Sequence, residues 1–180
     1  MKKFELTSET KINIFGKKLF RIKALISFAD VEAGETGGWV EKEGNVNQSG
    51  DAWVSGNAEV SGNAKVYGNA KVYGNAWVSD NVKVSGNTKV YGNAWVYGNA
   101  EVSGDAEVSG NADYTTIHGF GTKFRTTTFF RCKDKKVRVA CGCFFGTIPE
   151  FREQVKNTRK GKIAEEYLMI ADLMEKHFEK

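Results

Sequence analysis

A six-residue repeat fills the middle of the chain and constrains its fold more than any other sequence feature. Two looser units, VEKEGN and VNQSGD, occupy residues 40–51. From Ala52 eleven units follow without an insertion: AWVSGN, AEVSGN, AKVYGN, AKVYGN, AWVSDN, VKVSGN, TKVYGN, AWVYGN, AEVSGD, AEVSGN and ADYTTI. Units of this length bury an apolar face only by stacking on their neighbours. The repeat therefore predicts a solenoid.

The order of residues within each unit predicts a short strand followed by a turn. A small residue, a variable residue, Val and a polar residue alternate, which places Ala and Val on one face. Gly-Asn then turns the chain, because Gly adopts positive φ at no steric cost and Asn tolerates the left-handed region. Such strands are too short to be stable alone, so we expect parallel ladders about 4.8 Å apart.

This pattern resembles the hexapeptide-repeat, left-handed parallel β-helix family over residues 40–115. The resemblance implies three hexads per coil, a triangular prism and a homotrimer. It does not specify a function, because the fold hosts acyltransferases, carbonic anhydrases and plain scaffolds.

Aromatic side chains recur on the outward faces of the expected coils. With three units per coil, positions 18 apart lie above one another, so Trp77 stacks on Trp95 and Tyr73 on Tyr91. Contiguous outward aromatics mark contact surfaces. We interpret this set as a homotrimer interface, with a ligand or partner platform as the alternative: Trp53, Tyr73, Trp77, Tyr91, Trp95 and Tyr97.

The flanking segments are expected to cover the unpaired ends of the β-helix. Residues 1–39 predict a small N-terminal β cap with a hairpin turn at Gly16. Residues 116–180 predict a C-terminal α+β domain, made of a β-hairpin and two helices. The expected elements are strands 123–131 and 137–145, a helix capped by Thr147 with Glu150 at its third position, and a helix over about 162–178.

A narrower resemblance covers nearly the whole chain. The segments RIKAL (21–25), GGWVE (37–41) and CGCFFGT (141–147), together with the YGNA repeats, are similar to a group of hexapeptide-repeat proteins common in phages and prophages. This resemblance implies an accessory or host-interaction role, and it carries over no catalytic residues.

Positive charge is concentrated in the C-terminal segment. Residues 115–180 hold fourteen Lys and Arg against eight acids, a net charge of +6, whereas residues 49–114 are net −3. Arg matches phosphate geometry, and Phe129 between Arg125 and Arg131 is placed to stack a base. The predicted ligand-binding residues, with the three arginines expected on one hairpin face, are Arg125, Phe129, Arg131, Lys133, Lys136 and Arg138. A merely solvated basic hairpin is the alternative, and a small nucleotide and a nucleic acid both remain possible ligands.

Catalytic and metal-binding patterns are weak. Acyltransferases of this fold need a His base, and His118 is the only candidate near the coils. Cys132, Cys141 and Cys143 with His118 would form a zinc site, but Cys141 and Cys143 share an apolar strand face, which is typical of buried, inert cysteines. We therefore predict no metal and no cofactor.

The sequence favours a non-enzymatic, homotrimeric binding protein of phage or prophage type. Three Cys without a disulfide pattern, no signal segment and no membrane span predict a cytoplasmic location. The expected activity is sequestration of a phosphate-bearing nucleotide signal. The alternatives are a protein-binding inhibitor or scaffold that uses the aromatic faces, and an acyltransferase that uses His118.

Overall fold

The repeat folds into a parallel β-helix of about four coils. The protein is described here by a computed structural model that covers residues 2–179. The coil strands are β3 Thr36–Val40, β4 Trp53–Val54, β5 Glu59–Val60, β6 Lys65–Val66, β7 Lys71–Val72, β8 Trp77–Val78, β9 Lys83–Val84, β10 Lys89–Val90, β11 Trp95–Val96, β12 Glu101–Val102 and β13 Glu107–Val108. These strands confirm the mainly β, β-helical fold class predicted from the repeat.

The strands stack into three parallel faces. Face 1 contains β3, β5, β8 and β11; face 2 contains β4, β7, β10 and β13; face 3 contains β6, β9 and β12. Trp77 pairs with Trp95 and Val78 with Val96, so one coil spans 18 residues, or three hexads. The first coil is longer, because Trp39 pairs with Glu59 and a short 3-10 turn intervenes at Glu43–Asn45.

The interior of the coils is filled by the small residue and the Val of each unit. Val54, Val72 and Val84 are fully buried, as are the Ala residues that precede the outward position. Thr88 replaces Ala in one unit and is also fully buried. Its hydroxyl donates to the carbonyl of Ser85 at 2.6 Å, which satisfies the polar group inside an apolar core. The prediction from the alternation, that Ala and Val point into the coils, is therefore confirmed.

The Gly of each turn and the Asn that follows have different roles. Gly86 has φ +69°, and a Cβ there would lie 2.8 Å from backbone atoms of Gly104 in the next coil, so only Gly fits. The Asn residues do not adopt positive φ, contrary to the sequence interpretation. Their side-chain amides instead form ladders at the corners. Asn63 donates to Asn81 at 3.2 Å, and Asn81 donates to Asn99 at 3.0 Å.

Backbone groups at the outer edge of the first coil have no preceding coil to pair with. Three structural features supply hydrogen bonds to them. On face 1 the hairpin of β1 (Phe4–Ile12) and β2 (Lys18–Ala24) adds β2 antiparallel to β3. At face 2 the buried Lys3 ammonium donates to the carbonyls of Gly50 and Ala52, at 3.0 and 2.7 Å. Beside face 3 the Asn45 amide donates to the carbonyls of Gly62 and Ala64. The predicted N-terminal cap therefore covers the open edge of the first coil, and hydrogen bonds satisfy the carbonyl groups there.

The last coil leaves N–H groups unpaired, and side-chain oxygens accept from them. Asn111 accepts from the N–H of Trp95 at 2.8 Å, and Thr128 accepts from the N–H of Glu101 at 3.0 Å. The Tyr114 hydroxyl accepts from the N–H of Tyr97 at 3.3 Å. Burial raises the pKa of Tyr114 to about 12, so this capping group stays neutral.

A four-stranded antiparallel sheet closes this end of the β-helix. Its strands are β14 Tyr114–Phe120, β15 Arg125–Arg131, β16 Val137–Cys141 and β17 Phe144–Thr147, in that order. Two predictions here are wrong. The unit ADYTTI is not a coil, because a 3-10 turn at Asn111–Asp113 leads into β14. The strand expected over 137–145 is two strands, because Gly142 turns the chain with φ +63°.

Two helices cover the outer face of this sheet. The structure has α1 Ile148–Thr158 and α2 Gly161–Phe178, close to the predicted bounds. The backbone N–H of Glu150 donates to the Thr147 hydroxyl and the Glu150 carboxylate accepts from the N–H of Thr147, as a capping box requires. Neither of these two helices, which lie within residues 2–179, is long and apolar enough to cross a membrane.

Replacing the buried Val72 by Asp is expected to abolish folding. An unpaired buried charge costs several kcal/mol, which is comparable with the whole stability of a domain. The Val72→Asp protein should be insoluble or should lack a cooperative thermal transition in circular dichroism. The matched control is Lys65→Asp. Lys65 is exposed on face 3, so this variant should fold normally. A normal melting curve for Val72→Asp would refute the interior described here.

The buried Lys3 predicts a rise in stability with pH. Burial lowers the pKa of Lys3 to about 8, and the nearby Asp51 opposes this effect. Between about pH 8 and pH 10.5 the unfolded chain binds more protons at this position, so the free energy of unfolding should increase with pH. The increase should be at most about 3 kcal/mol.

The measurement is denaturant unfolding of the wild-type protein and of Lys3→Met across this pH range. The stability of the wild type relative to Lys3→Met should increase as the pH rises, since other titrating groups cancel in the difference. A difference that is independent of pH would show that the Lys3 ammonium is not desolvated.

Candidate ligand and partner surfaces

Two aromatic ladders lie on the outside of the β-helix, as the 18-residue spacing predicts. The rings of Trp77 and Trp95 are parallel, with centroids 4.8 Å apart, on face 1. Those of Tyr73 and Tyr91 are parallel at 5.1 Å on face 2. Parallel in-register strands place identical outward side chains directly above one another, so the stacking follows from the repeat.

Trp53 points outward from face 2 but is not available to a partner. Only 4% of its surface is exposed, because Phe4 and Phe28 of the N-terminal segment pack edge-on against its ring. The expectation that Trp53 contributes to an interface or partner surface is therefore wrong. The physical reason is that the N-terminal segment folds back over the first coil, which the repeat itself does not reveal.

An open groove adjoins the Trp ladder of face 1. Phe15, in the turn between β1 and β2, lies edge-on to Trp77 with centroids 5.5 Å apart. Phe15, Trp77, Trp95 and Tyr97 line a cavity of about 520 Å³, and Lys17 and Asp80 lie at its rim. We call this cavity the aromatic groove.

The basic hairpin predicted to bind a ligand does not present its residues on one face. Arg125 and Arg131 lie at opposite ends of β15, on the side of the sheet that faces the helices. Arg138 pairs with Phe130 in the register of β15 and β16, so it lies on the other side, toward the coils. Strand alternation and the packing of both sheet faces therefore separate these arginines.

Phe129 and two of the arginines have structural roles instead. Phe129 is fully buried against Phe151 of α1, so the prediction that it stacks a base is wrong. Arg131 donates to the carbonyl of Phe178 at 2.6 Å and lies 3.7 Å from the carboxylate of Asp113. Arg138 is paired with Asp134 at 2.8 Å.

The predicted residues Lys133 and Lys136 are exposed in the turn between β15 and β16, beside acidic side chains. Lys133 lines a cleft that also contains Asp105 and Asp134. Lys136 lines another that also contains Glu175 and Glu179. Acids offset the positive charge fully in the first cleft and in part in the second, which Arg131 and Lys135 also line, so neither combines its cations without an acid.

One cleft combines several cations without an acid. It lies between the turn that joins β14 to β15 and the end of α1, has a volume of about 380 Å³, and is lined by Lys123, Arg125 and Arg159. None of its lining residues is Asp or Glu, and none of the three cations forms an ion pair within residues 2–179. We call this the cationic cleft.

The remaining lining of the cationic cleft supplies neutral donors and aromatic surface. Thr122, Gln154 and Thr158 offer hydrogen-bonding groups, and Phe120 and Phe144 are partly exposed. Tyr167 also lines the cleft, and its hydroxyl donates to the carbonyl of Phe120 at 3.3 Å. Burial raises the pKa of Tyr167, so it adds no negative charge.

Sequence reasoning found Arg125 but missed Lys123 and Arg159. Lys123 lies in the turn after β14, a strand that the sequence did not predict. Arg159 follows the last residue of α1 and meets the turn only through the tertiary packing of helix on sheet. The absence of nearby acids around residues 120–125 was the available signal for Lys123; nothing in the sequence connects Arg159 to that turn.

The candidate base, His118, and the cysteines lie in different environments. His118 lies exposed on β14, and its Nδ1 is 3.2 Å from the Thr126 hydroxyl. Cys132 is buried, and this burial raises its pKa to about 11, whereas Cys143 is exposed in the turn after β16. The prediction that Cys143 shares a buried face is therefore wrong. Within residues 2–179 no three His, Cys, Asp or Glu side chains are grouped to hold a metal ion.

Comparison with known proteins does not assign a family. No protein-family model matches the chain, and no curated protein is significantly similar to it.

Truncation of Trp53 should reveal its structural role. The Trp53→Ala protein should lose about 3–5 kcal/mol of unfolding free energy, because a fully packed aromatic side chain is removed. The matched control is Tyr91→Ala on the same face, which loses only a stacked, partly exposed ring and about 1 kcal/mol. Denaturant unfolding measures both. Equal, small losses would mean that the N-terminal segment does not cover Trp53.

Proposed function

We propose that this protein is a non-enzymatic binding protein whose C-terminal domain captures a phosphate-bearing anion in the cationic cleft. The observation that carries the proposal is the convergence of Lys123, Arg125 and Arg159 on one cavity with no acid in its lining. Unpaired Arg and Lys side chains gain most from a multiply charged oxyanion, because hydrogen bonds between ionised partners are about twice as strong as neutral ones.

The shape of the cationic cleft favours a small ligand over a nucleic acid. Its volume of about 380 Å³ falls within the usual range for small-molecule sites, ~300–1,000 Å³. Phe120 and Phe144 offer partly exposed rings beside the cations, which suits a ligand with a planar base and a phosphate group. A nucleotide combines both features.

A biological setting follows from the same proposal. A protein of phage or prophage type that acts in the host cytoplasm would gain from sequestering a nucleotide immune signal, which is an anti-defence role. The three free cysteines suit a reducing compartment. A homotrimer would present three such clefts.

The test is isothermal titration of the purified protein with two probes, inorganic pyrophosphate and ADP. Both should bind, and ADP should bind more tightly if the aromatic side chains contact its base. The variants Arg125→Glu and Arg159→Glu should each weaken binding by about tenfold or more, since a hydrogen bond to a charged group contributes about 1.5–3 kcal/mol.

The matched control is Lys65→Glu, which makes the same change of charge on face 3, outside the cleft. This variant should bind both probes like the wild type, because exposed charges beyond about 10 Å are screened by salt. If neither probe binds, or if all three variants bind equally well, the cationic cleft is not an anion site.

A further inference from the structure

Face 1 holds a cation over an aromatic ring in its first coil. The Lys11 ammonium lies 4.6 Å from the ring centroid of Trp39, and the Arg21 guanidinium carbon lies 4.8 Å from the same centroid. Glu59 is the neighbour of Trp39 in the sheet, and its carboxylate pairs with the Lys11 ammonium at 2.7 Å. A Trp ring and a carboxylate therefore hold an organic cation together, because the negative face of the ring and the carboxylate both attract positive charge.

The aromatic groove, two coils further along the same face, combines the same two kinds of group. It contains the stacked rings of Trp77 and Trp95 together with Phe15 and Tyr97, and the carboxylate of Asp80 lies at its rim. No Lys or Arg side chain of residues 2–179 lies over the ring of Trp77 or Trp95. The described part of the chain therefore supplies no cation to these two rings.

Asp80 occupies a position that glycine takes in every other unit between residues 52 and 111. Its φ is +61°, a left-handed value that costs energy in any residue except glycine, although Asp tolerates it better than most. Strained residues of this kind are concentrated at ligand sites. One oxygen of the Asp80 carboxylate accepts from the N–H of Gly98 at 2.9 Å, which anchors the side chain at the rim of the groove.

The charge at the aromatic groove is negative. Lys17 and Asp80 are the charged residues of its lining, and Lys17 pairs with Glu41 at 3.1 Å. Asp80 forms no ion pair with another residue in the range 2–179. One cation and two carboxylates therefore leave an excess of negative charge, which complements a positively charged ligand.

We propose that the aromatic groove binds a small organic cation of the trimethylammonium class. The Trp and Tyr rings contact the methyl groups of this ligand, and the Asp80 carboxylate offsets its positive charge. A fully methylated ammonium has no N–H donor, so it suits a lining that is mostly apolar surface. The volume of about 520 Å³ suits a small molecule, since such sites usually have ~300–1,000 Å³.

Isothermal titration with three probes of similar size tests the proposal. The probes are choline, ethanolamine, and the neutral analogue of choline in which a tert-butyl group replaces the trimethylammonium group. Choline should bind about tenfold more tightly than the neutral analogue, because only the cation is attracted by the rings and the carboxylate. Ethanolamine should also bind about tenfold more weakly than choline, because its N–H donors lose hydrogen bonds to water in an apolar groove.

Two variants test the two parts of the site. Asp80→Asn keeps an oxygen for the N–H of Gly98 and a residue that tolerates positive φ, so it should fold normally. It should bind choline about fivefold or more weakly and bind the neutral analogue like the wild type, because only the charge is lost. Trp95→Leu should weaken the binding of both probes, because it removes a ring that is 40% exposed in the groove.

The matched controls change the same chemical groups elsewhere. Glu165→Gln removes an exposed carboxylate on α2, and Tyr91→Leu removes a stacked ring on face 2, so both should bind choline like the wild type. Absence of choline binding, or equal binding of choline and either other probe, would overturn the proposal. Unchanged choline binding by Asp80→Asn or by Trp95→Leu would also overturn it.

This site and the cationic cleft are tested independently. Asp80 and Trp95 do not line the cationic cleft, so their variants should bind pyrophosphate like the wild type. Arg125→Glu should lose pyrophosphate binding and keep choline binding, because Arg125 does not line the aromatic groove. Either site can therefore fail without the other.

Discussion

The backbone hydrogen bonds between successive coils are the interaction on which the rest of this structure depends. Each coil donates N–H groups to carbonyls in the next, for example from Tyr73 to Val90 at 3.0 Å, and beyond the first coil the register is 18 residues. A parallel stack of this kind has two open ends. Both ends leave backbone groups without a neighbouring coil: Lys3 and Asn45 donate to carbonyls of the first coil, and Asn111 and Thr128 accept from N–H groups of the last.

The need to close the last coil also determines where a ligand is able to bind. The C-terminal sheet packs Phe130 onto the coils and Phe129 onto the helices, so both of its faces are covered. Charged residues of its strands are therefore displaced to strand ends and turns. The cationic cleft forms where one such turn meets the end of α1, which is why its cations come from distant parts of the sequence.

Equivalent residues of the repeat acquire different roles through what the flanking segments cover. Trp53 and Trp95 occupy the same position of their units, yet Trp53 is sealed under Phe4 and Phe28 while Trp95 is 40% exposed. The N-terminal hairpin therefore both caps the first coil and leaves its own apolar tip beside the Trp ladder. A single segment thus determines which aromatic side chains of the β-helix are buried and which stay exposed.

Local chemistry determined much of this protein from the sequence alone. Period-two alternation, the positive φ of the turn glycines and the Thr147 capping box act over a few residues, so the coils, the Trp77–Trp95 stacking and both helices were predictable. Tertiary structure alone decided which charged and aromatic side chains reach solvent. Burial of Phe129, separation of Arg125 from Arg138, and the meeting of Arg125 with Arg159 depend on packing between distant segments, which no local pattern encodes.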